Sequence, residues 1–197
     1  MPALEPNRRF FHVAYAESLI GDGWLALYRG NSWMSRIIQY GTGGPYSHAA
    51  MLRRENGHAD VLEMREFRGG RATPLEAQAR NWPRAIDIFS PNVARFPEFD
   101  PATAVSVMRD LTSREYGYVG VARLLLQKIP LVWRLWPLDV ADIELDETTG
   151  APFCSHAVAA ACRLAGVDPV PRKADHLVTP NDLSWSLFWR YEFTLIP

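Results

Sequence analysis

The stretch that most constrains this chain is Pro152-Phe153-Cys154-Ser155-His156-Ala157-Val158-Ala159-Ala160-Ala161-Cys162-Arg163-Leu164-Ala165-Gly166. It reads as one helix with a defined end. Arg163 falls in the last turn, and Gly166 can take the left-handed position just beyond it. The helix starts at Pro152 or Phe153, so Cys154 lies in its first turn. A thiol there meets unpaired backbone N–H groups and the positive end of the helix dipole, and both favour the charged, nucleophilic form of sulfur. The residues that follow are nearly all Ala and Val, so this helix can approach a neighbour closely. A reactive cysteine opening a small-faced, buried helix is a common construction for a cysteine hydrolase. The alternative is a buried structural cysteine. The rest of the chain separates the two.

The chain has 197 residues, 48% of them hydrophobic, which suits one globular domain over residues 1–197 with a sizeable core. A formal net charge of −1 implies no strong attraction to nucleic acid or to an anionic membrane. Aromatic residues reach 12%, with seven Trp, enough to line a groove or partner surface as well as a core. Cys154 and Cys162 stand about 12 Å apart along one helix, beyond the reach of about 7 Å that a disulfide allows. Nor can Cys154, His156 and Cys162 share a zinc ion, because residues two apart on a helix point to nearly opposite sides. Free thiols point to a reducing compartment. Residues 1–9 hold no apolar core of a secretory signal, and no apolar run is long enough to span a bilayer. The expectation is a cytoplasmic or virion-associated protein.

Residues 1–20 read as a polar N-terminal arm and a short mixed stretch. Gly21-Asp22-Gly23 is a turn, and Trp24–Tyr28 a strand. Asn31-Ser32 caps a helix carrying Trp33, Ile37 and Ile38, which Gly41-Thr42-Gly43-Gly44-Pro45 ends. Tyr46–Leu52 and Val61–Met64 are strands joined through Asn56-Gly57, the strongest hairpin signal in the chain. With those two residues at the centre of the turn, Glu55 faces His58, Leu52 faces Val61, Ala50 faces Glu63 and His48 faces Arg65. His48, Ala50, Glu63 and Arg65 then share one face, with Glu63 the diagonal neighbour of His48. Thr73-Pro74-Leu75-Glu76 reads as a capping box opening a helix to about Asn81. Ala85–Phe89 is a strand, and Asp100-Pro101 opens a helix ending near Ser113. Tyr116-Gly117-Tyr118-Val119-Gly120 leads into a helix with Leu124 and Leu125. Residues 129–150, interrupted by Pro130 and Pro137, read as an insertion or lid. Thr179-Pro180-Asn181-Asp182-Leu183 starts a last helix, and Trp189–Leu195 closes as a strand.

A thiolate nucleophile needs a base, and the base needs an orienter. His48 is the best base, because Ser47, Ala49 and Ala50 keep its surroundings small enough for the Cys154 helix to approach. Glu63 is the best orienter. The competing readings are an ordinary strand histidine and a salt bridge from Glu63 to Arg65 or Arg53. His156 points away from Cys154. His12, His58 and His176 fall in the arm, a turn and a loop.

These residues resemble a known family. Gly21-Asp22, Ser35-Arg36-Ile37-Ile38, Pro45-Tyr46-Ser47-His48, Leu62-Glu63, Phe153-Cys154-Ser155 with its Ala-rich helix, and Thr179-Pro180-Asn181-Asp182-Leu183 look like the circularly permuted NlpC/P60 cysteine hydrolases, in particular the YiiX/YebB-like subgroup. The resemblance covers roughly residues 20–195. The order His48, Glu63, Cys154 is that of the permuted members. The resemblance implies an α+β, papain-like fold, with an antiparallel sheet packed against helices. It also implies hydrolysis through an acyl-thioester, with Cys154 as nucleophile, His48 as base and then acid, and Glu63 as orienter. The backbone N–H of Cys154 and the side chain of Tyr116 would hold the oxyanion. The alternative for Tyr116 and Tyr118 is core packing.

The expected substrate is a peptide or acyl amide, with cell-wall peptides the commonest in the family. Two alternatives stand beside it. One is a thiol acyltransferase or lipid-amide hydrolase, with membrane contact through 129–138. The other is a non-catalytic binding or structural component, as in a phage tail, an idea resting on family association. Neither a metal nor an organic cofactor is implied.

Overall fold

The computed structural model describes residues 8–65, 69–112 and 153–197. Among them, seven strands form one sheet. They are β1 (Phe10–His12), β2 (Trp24–Tyr28), β3 (His48–Glu55), β4 (His58–Arg65), β5 (Gly69–Pro74), β6 (Ile86–Pro91) and β7 (Trp189–Ile196). The sheet order is β1-β7-β6-β2-β3-β4-β5. Only the β1–β7 pair is parallel. Among the described residues six helices accompany the sheet: α1 (Val13–Ala16), α2 (Trp33–Thr42), α3 (Leu75–Asn81), α4 (Pro101–Thr112), α5 (Cys154–Leu164) and α6 (Pro180–Trp185).

Strand alternation divides the core into two layers. Leu25, Leu27, Ala49, Met51, Leu62 and Met64 face α4 and α5. Ala26, Ala50, Leu52, Val61, Ile86 and Ile88 face α1 and α3. The Ala and Val run of α5 is buried at Ala157, Val158, Ala159 and Ala161, which lets that helix lie close to the sheet.

The hairpin forms in the register its turn dictates. Asn56 and Gly57 take φ of 52° and 85°, and Glu55 pairs with His58 and Leu52 with Val61. α5 begins and ends as its sequence predicts, with Phe153 as N-cap and Cys154 as first residue. At its far end the N–H of Val167 reaches Cys162 O at 3.0 Å and that of Gly166 reaches Arg163 O at 3.1 Å, the paired bonds of a Schellman motif. Ser32 caps α2 by accepting from the N–H of Ser35, and Thr179 and Asp182 form a reciprocal capping box on α6.

Two expectations need correction. The N-terminal arm is not wholly an arm, since residues 10–12 form β1 beside β7. The Thr73 capping box does not form, and α3 begins at Leu75 without a side-chain cap. Thr73 is instead committed to β5, where it pairs with Val61, and its hydroxyl accepts from Gln78. β5 itself has no counterpart in the sequence reading. The insertion at 129–150, Tyr116, Tyr118 and the helix carrying Leu124 lie outside the described residues.

Candidate active site

His48 opens β3, directly across from Tyr28 of β2, whose ring meets the imidazole edge-on at 5.1 Å between centroids. Glu63 stands on β4 opposite Arg71 of β5. Strand parity puts Glu63 and Arg71 on the face covered by α3, which supplies Gln78. The Cys154 helix packs on the opposite face. Cys154 therefore meets His48 where β3 begins, at the end of the sheet rather than in the middle of either face.

Glu63 is fully buried and every lone pair it offers is in use. Its Oε2 accepts from His48 Nε2 at 2.7 Å and from Arg65 Nη1 at 3.4 Å. Its Oε1 accepts from Arg71 Nε at 2.8 Å, from Arg71 Nη2, and from Gln78 Nε2 at 2.9 Å. The Nε2 bond leaves Nδ1 of the ring uncommitted to Glu63, and the Cys154 side chain stands close enough to the imidazole to act on its charge. The chain thus brings Cys154, His48 and Glu63 into one relay, in that order.

The electrostatics follow from these contacts. Burial works against charge on the His48 ring. The charge and hydrogen bond of the Cys154 sulfur, and then Glu63, outweigh it and push the ring up to about 10. Burial likewise opposes a charged Glu63. Its bond to His48 and the guanidinium groups of Arg65 and Arg71 bring the carboxyl down to about 2. Cys162 has no such partner, and burial followed by the nearby Asp175 pushes its thiol up.

The other histidines stand elsewhere. His156 lies against Phe153 and His176, with centroids 5.6 and 6.5 Å away. His12 ends β1, His58 opens β4 and His176 sits in a 3-10 turn over Asp175–Leu177. Ser155 donates its hydroxyl to Val178 O at 2.7 Å, which ties the start of α5 to the segment ahead of α6.

Sequence reasoning missed Arg71 and Gln78, the groups that hold Glu63 from behind. The available signal was the register itself: once Gly69–Pro74 is a strand, Arg71 must face Glu63. The site opens beside a cavity of about 200 Å³ whose walls include His48, Arg65 and Trp82.

These features define a mixed α+β protein whose seven-stranded sheet is covered by helices on both faces. Compared with solved structures, it matches the crystal structure of the metalloprotein YiiX from Escherichia coli O157:H7 (DUF1105), with a TM-score of 0.52 and 15% identity over 90% of this chain and 98% of that one. At that identity the likeness is one of fold. No family model and no curated protein sequence matches the chain. YiiX is called a metalloprotein. Among the described residues no three His, Cys, Asp or Glu side chains gather into a possible ligand set, and both Glu63 oxygens already accept from nitrogen donors. Among the described residues no helix is long and apolar enough to cross a membrane.

Proposed function

We propose that this protein is a cysteine hydrolase of the circularly permuted, papain-like NlpC/P60 kind, cleaving an amide bond in a peptide or acyl-amide substrate. The observation that carries the reading is the Cys154–His48–Glu63 relay, with Glu63 clamped by Arg71 and Gln78. A purely structural cysteine has no need of an imidazole whose far nitrogen is held at 2.7 Å by a buried carboxylate.

In this mechanism the Cys154 sulfur forms a bond to the carbonyl carbon while the carbonyl π electrons move onto oxygen. The first-turn N–H groups of α5 receive that oxygen, since no side chain caps them. Collapse breaks the C–N bond, and the leaving amine takes its proton from His48. A water molecule then gives a proton to His48 and adds to the thioester, which releases the acid and restores the sulfur. Glu63 keeps the ring aimed throughout and stays charged. Tyr116 is the proposed side-chain donor to the oxyanion.

Alkylation tests the reading. At about pH 6, iodoacetamide should modify Cys154 at least tenfold faster than Cys162, and His48→Ala should erase the difference. Equal, slow labelling of both thiols would favour a binding or structural role. Cell-wall peptides set against acyl-lipid amides would then identify the substrate class.

A further inference from the structure

We infer that the cavity beside His48 is a receptor for a small carboxylate, with Arg65 as its cationic partner. Its place in catalysis rests on the hydrolase reading: the substrate would carry a free carboxylate close to the bond that is cut. Four observations support it. No Asp or Glu lines this cavity of about 200 Å³, whereas Arg65 and His48 both do. Arg65 makes only one long hydrogen bond, 3.4 Å from Nη1 to Glu63, and the remaining four of its five donors have no acceptor among the described residues. By contrast Arg71 spends both Nε and Nη2 on Glu63, so the orienter keeps a two-bond guanidinium partner when Arg65 engages a ligand. The Arg65 guanidinium also lies over the Trp82 ring, 4.9 Å from its centroid, so the indole backs the group while its unspent N–H donors suit a planar, two-oxygen acceptor.

Two hydroxyls complete the set. Tyr28 is 1% exposed and lines the cavity, yet its Oη has no hydrogen-bond partner among the described residues. A buried phenol is seldom left so, and an oxygen from outside the chain would satisfy it. Ser35 accepts from Ser32 at 2.9 Å, and its own proton has no acceptor among the described residues. Trp33 and Trp82 supply apolar walls for the rest of the group. A phosphate dianion would bring two charges to one unspent guanidinium, so a carboxylate is the better match.

The test is a titration of the full chain carrying Cys154→Ala, with N-acetylglycine against its neutral counterpart N-acetylglycinamide, followed by NMR on the Trp82 indole. The acid should bind at least about tenfold more tightly than the amide, Arg65→Met should remove that preference, and Arg65→Lys, which keeps the charge but not the planar fork, should keep only part of it. Tyr28→Phe, which breaks no bond within the protein, should weaken the acid by about threefold. Equal binding of acid and amide, binding of neither, or a preference that survives Arg65→Met would overturn the inference. Because Cys154 is absent, the outcome is independent of thiol chemistry. Slow iodoacetamide labelling of the wild-type protein would sink the hydrolase reading and leave the carboxylate receptor standing.

Discussion

Glu63 and Asp87 are both buried carboxylates of one sheet, and each is met by two arginines. Asp87 accepts from Tyr46 Oη at 2.8 Å, Thr194 Oγ1 at 2.6 Å and Arg29 at 3.2 Å, with Arg8 at 3.6 Å. Glu63 has a comparable set, except that one partner is an imidazole. That exception separates them. Burial, then Asp87 itself, pushes the Tyr46 hydroxyl far up, so it stays a donor at any working pH. Asp87 therefore holds a fixed geometry: it anchors Tyr46, two residues ahead of His48. Glu63 holds a ring that, in the proposed mechanism, gains and loses a proton. Similar charge clusters can thus serve as frame or as machinery, and the titratable partner tells which.

The comparison breaks most readily on the acids themselves. Glu63→Ala and Asp87→Ala should each cost about 3 kcal/mol in denaturant unfolding, because each strands half-buried guanidinium groups around an emptied buried site. Only the Glu63 change should also remove the labelling advantage of Cys154 over Cys162, measured where both variants remain folded. A loss of that advantage in the Asp87 variant would mean that the frame and the machinery are not separable.

The pH dependence sharpens the same contrast. Glu63 is lowered from 4.5 to about 2, so its contribution to stability is complete above about 4.5 and fades as the pH falls toward 2. His48 is raised from 6.5 to about 10, so its contribution is complete below about 6.5 and fades as the pH rises toward 10. Unfolding free energy should accordingly peak between those inner limits. Glu63→Gln should flatten the acid limb and shrink the alkaline one, whereas Asp87→Asn should leave the Glu63 limb in place. A Glu63→Gln profile that matches wild type would remove the ionised Glu63–His48 pair from the account.

Asn181 belongs to the frame. It accepts from the Tyr46 N–H at 3.0 Å and donates to Tyr46 O at 3.0 Å and Thr42 Oγ1 at 2.6 Å. Asn181→Ala should cost about 2–3 kcal/mol, since two buried backbone groups lose their partners. If its Cys154 labelling also drops, Tyr46 governs the placement of His48 as well as the packing beneath it.

What the sequence made legible was local. Asn56-Gly57 carries its turn type in its side chains, and the turn sets a register that brings Glu63 to His48. Gly166 and the Ala run mark α5, and hence the position of Cys154 in its first turn. The support behind Glu63 was not legible, because Gly69, Gly70 and Pro74 leave β5 without apolar alternation and with Thr73 as its one β-branched residue. Thr73-Pro74-Leu75-Glu76 also matches a helix-cap pattern, and only the neighbouring strand decides against it. β1 was hidden for another reason. A parallel partner some 180 residues away, Phe10 with Thr194, leaves no local signature. Asp87 looked like one acid in an apolar strand, and its partners come from four separate parts of the chain.

The smallest expected effect lies at the far end of α5. Gly166 has φ of 101°, and a Cβ there would stand 2.6 Å from Glu98 O. Gly166→Ala should therefore cost about 1–2 kcal/mol through left-handed strain and the shift of a backbone carbonyl. The Schellman bonds it closes lie more than two turns from Cys154, so the first turn and its N–H groups should keep their geometry. The Cys154 alkylation rate of the folded variant should equal that of wild type, while its unfolding midpoint falls. A slower Cys154 would mean that the helix moves as one rigid piece, and that the sulfur is placed by the packing of the whole of α5 rather than by the contacts of its first turn.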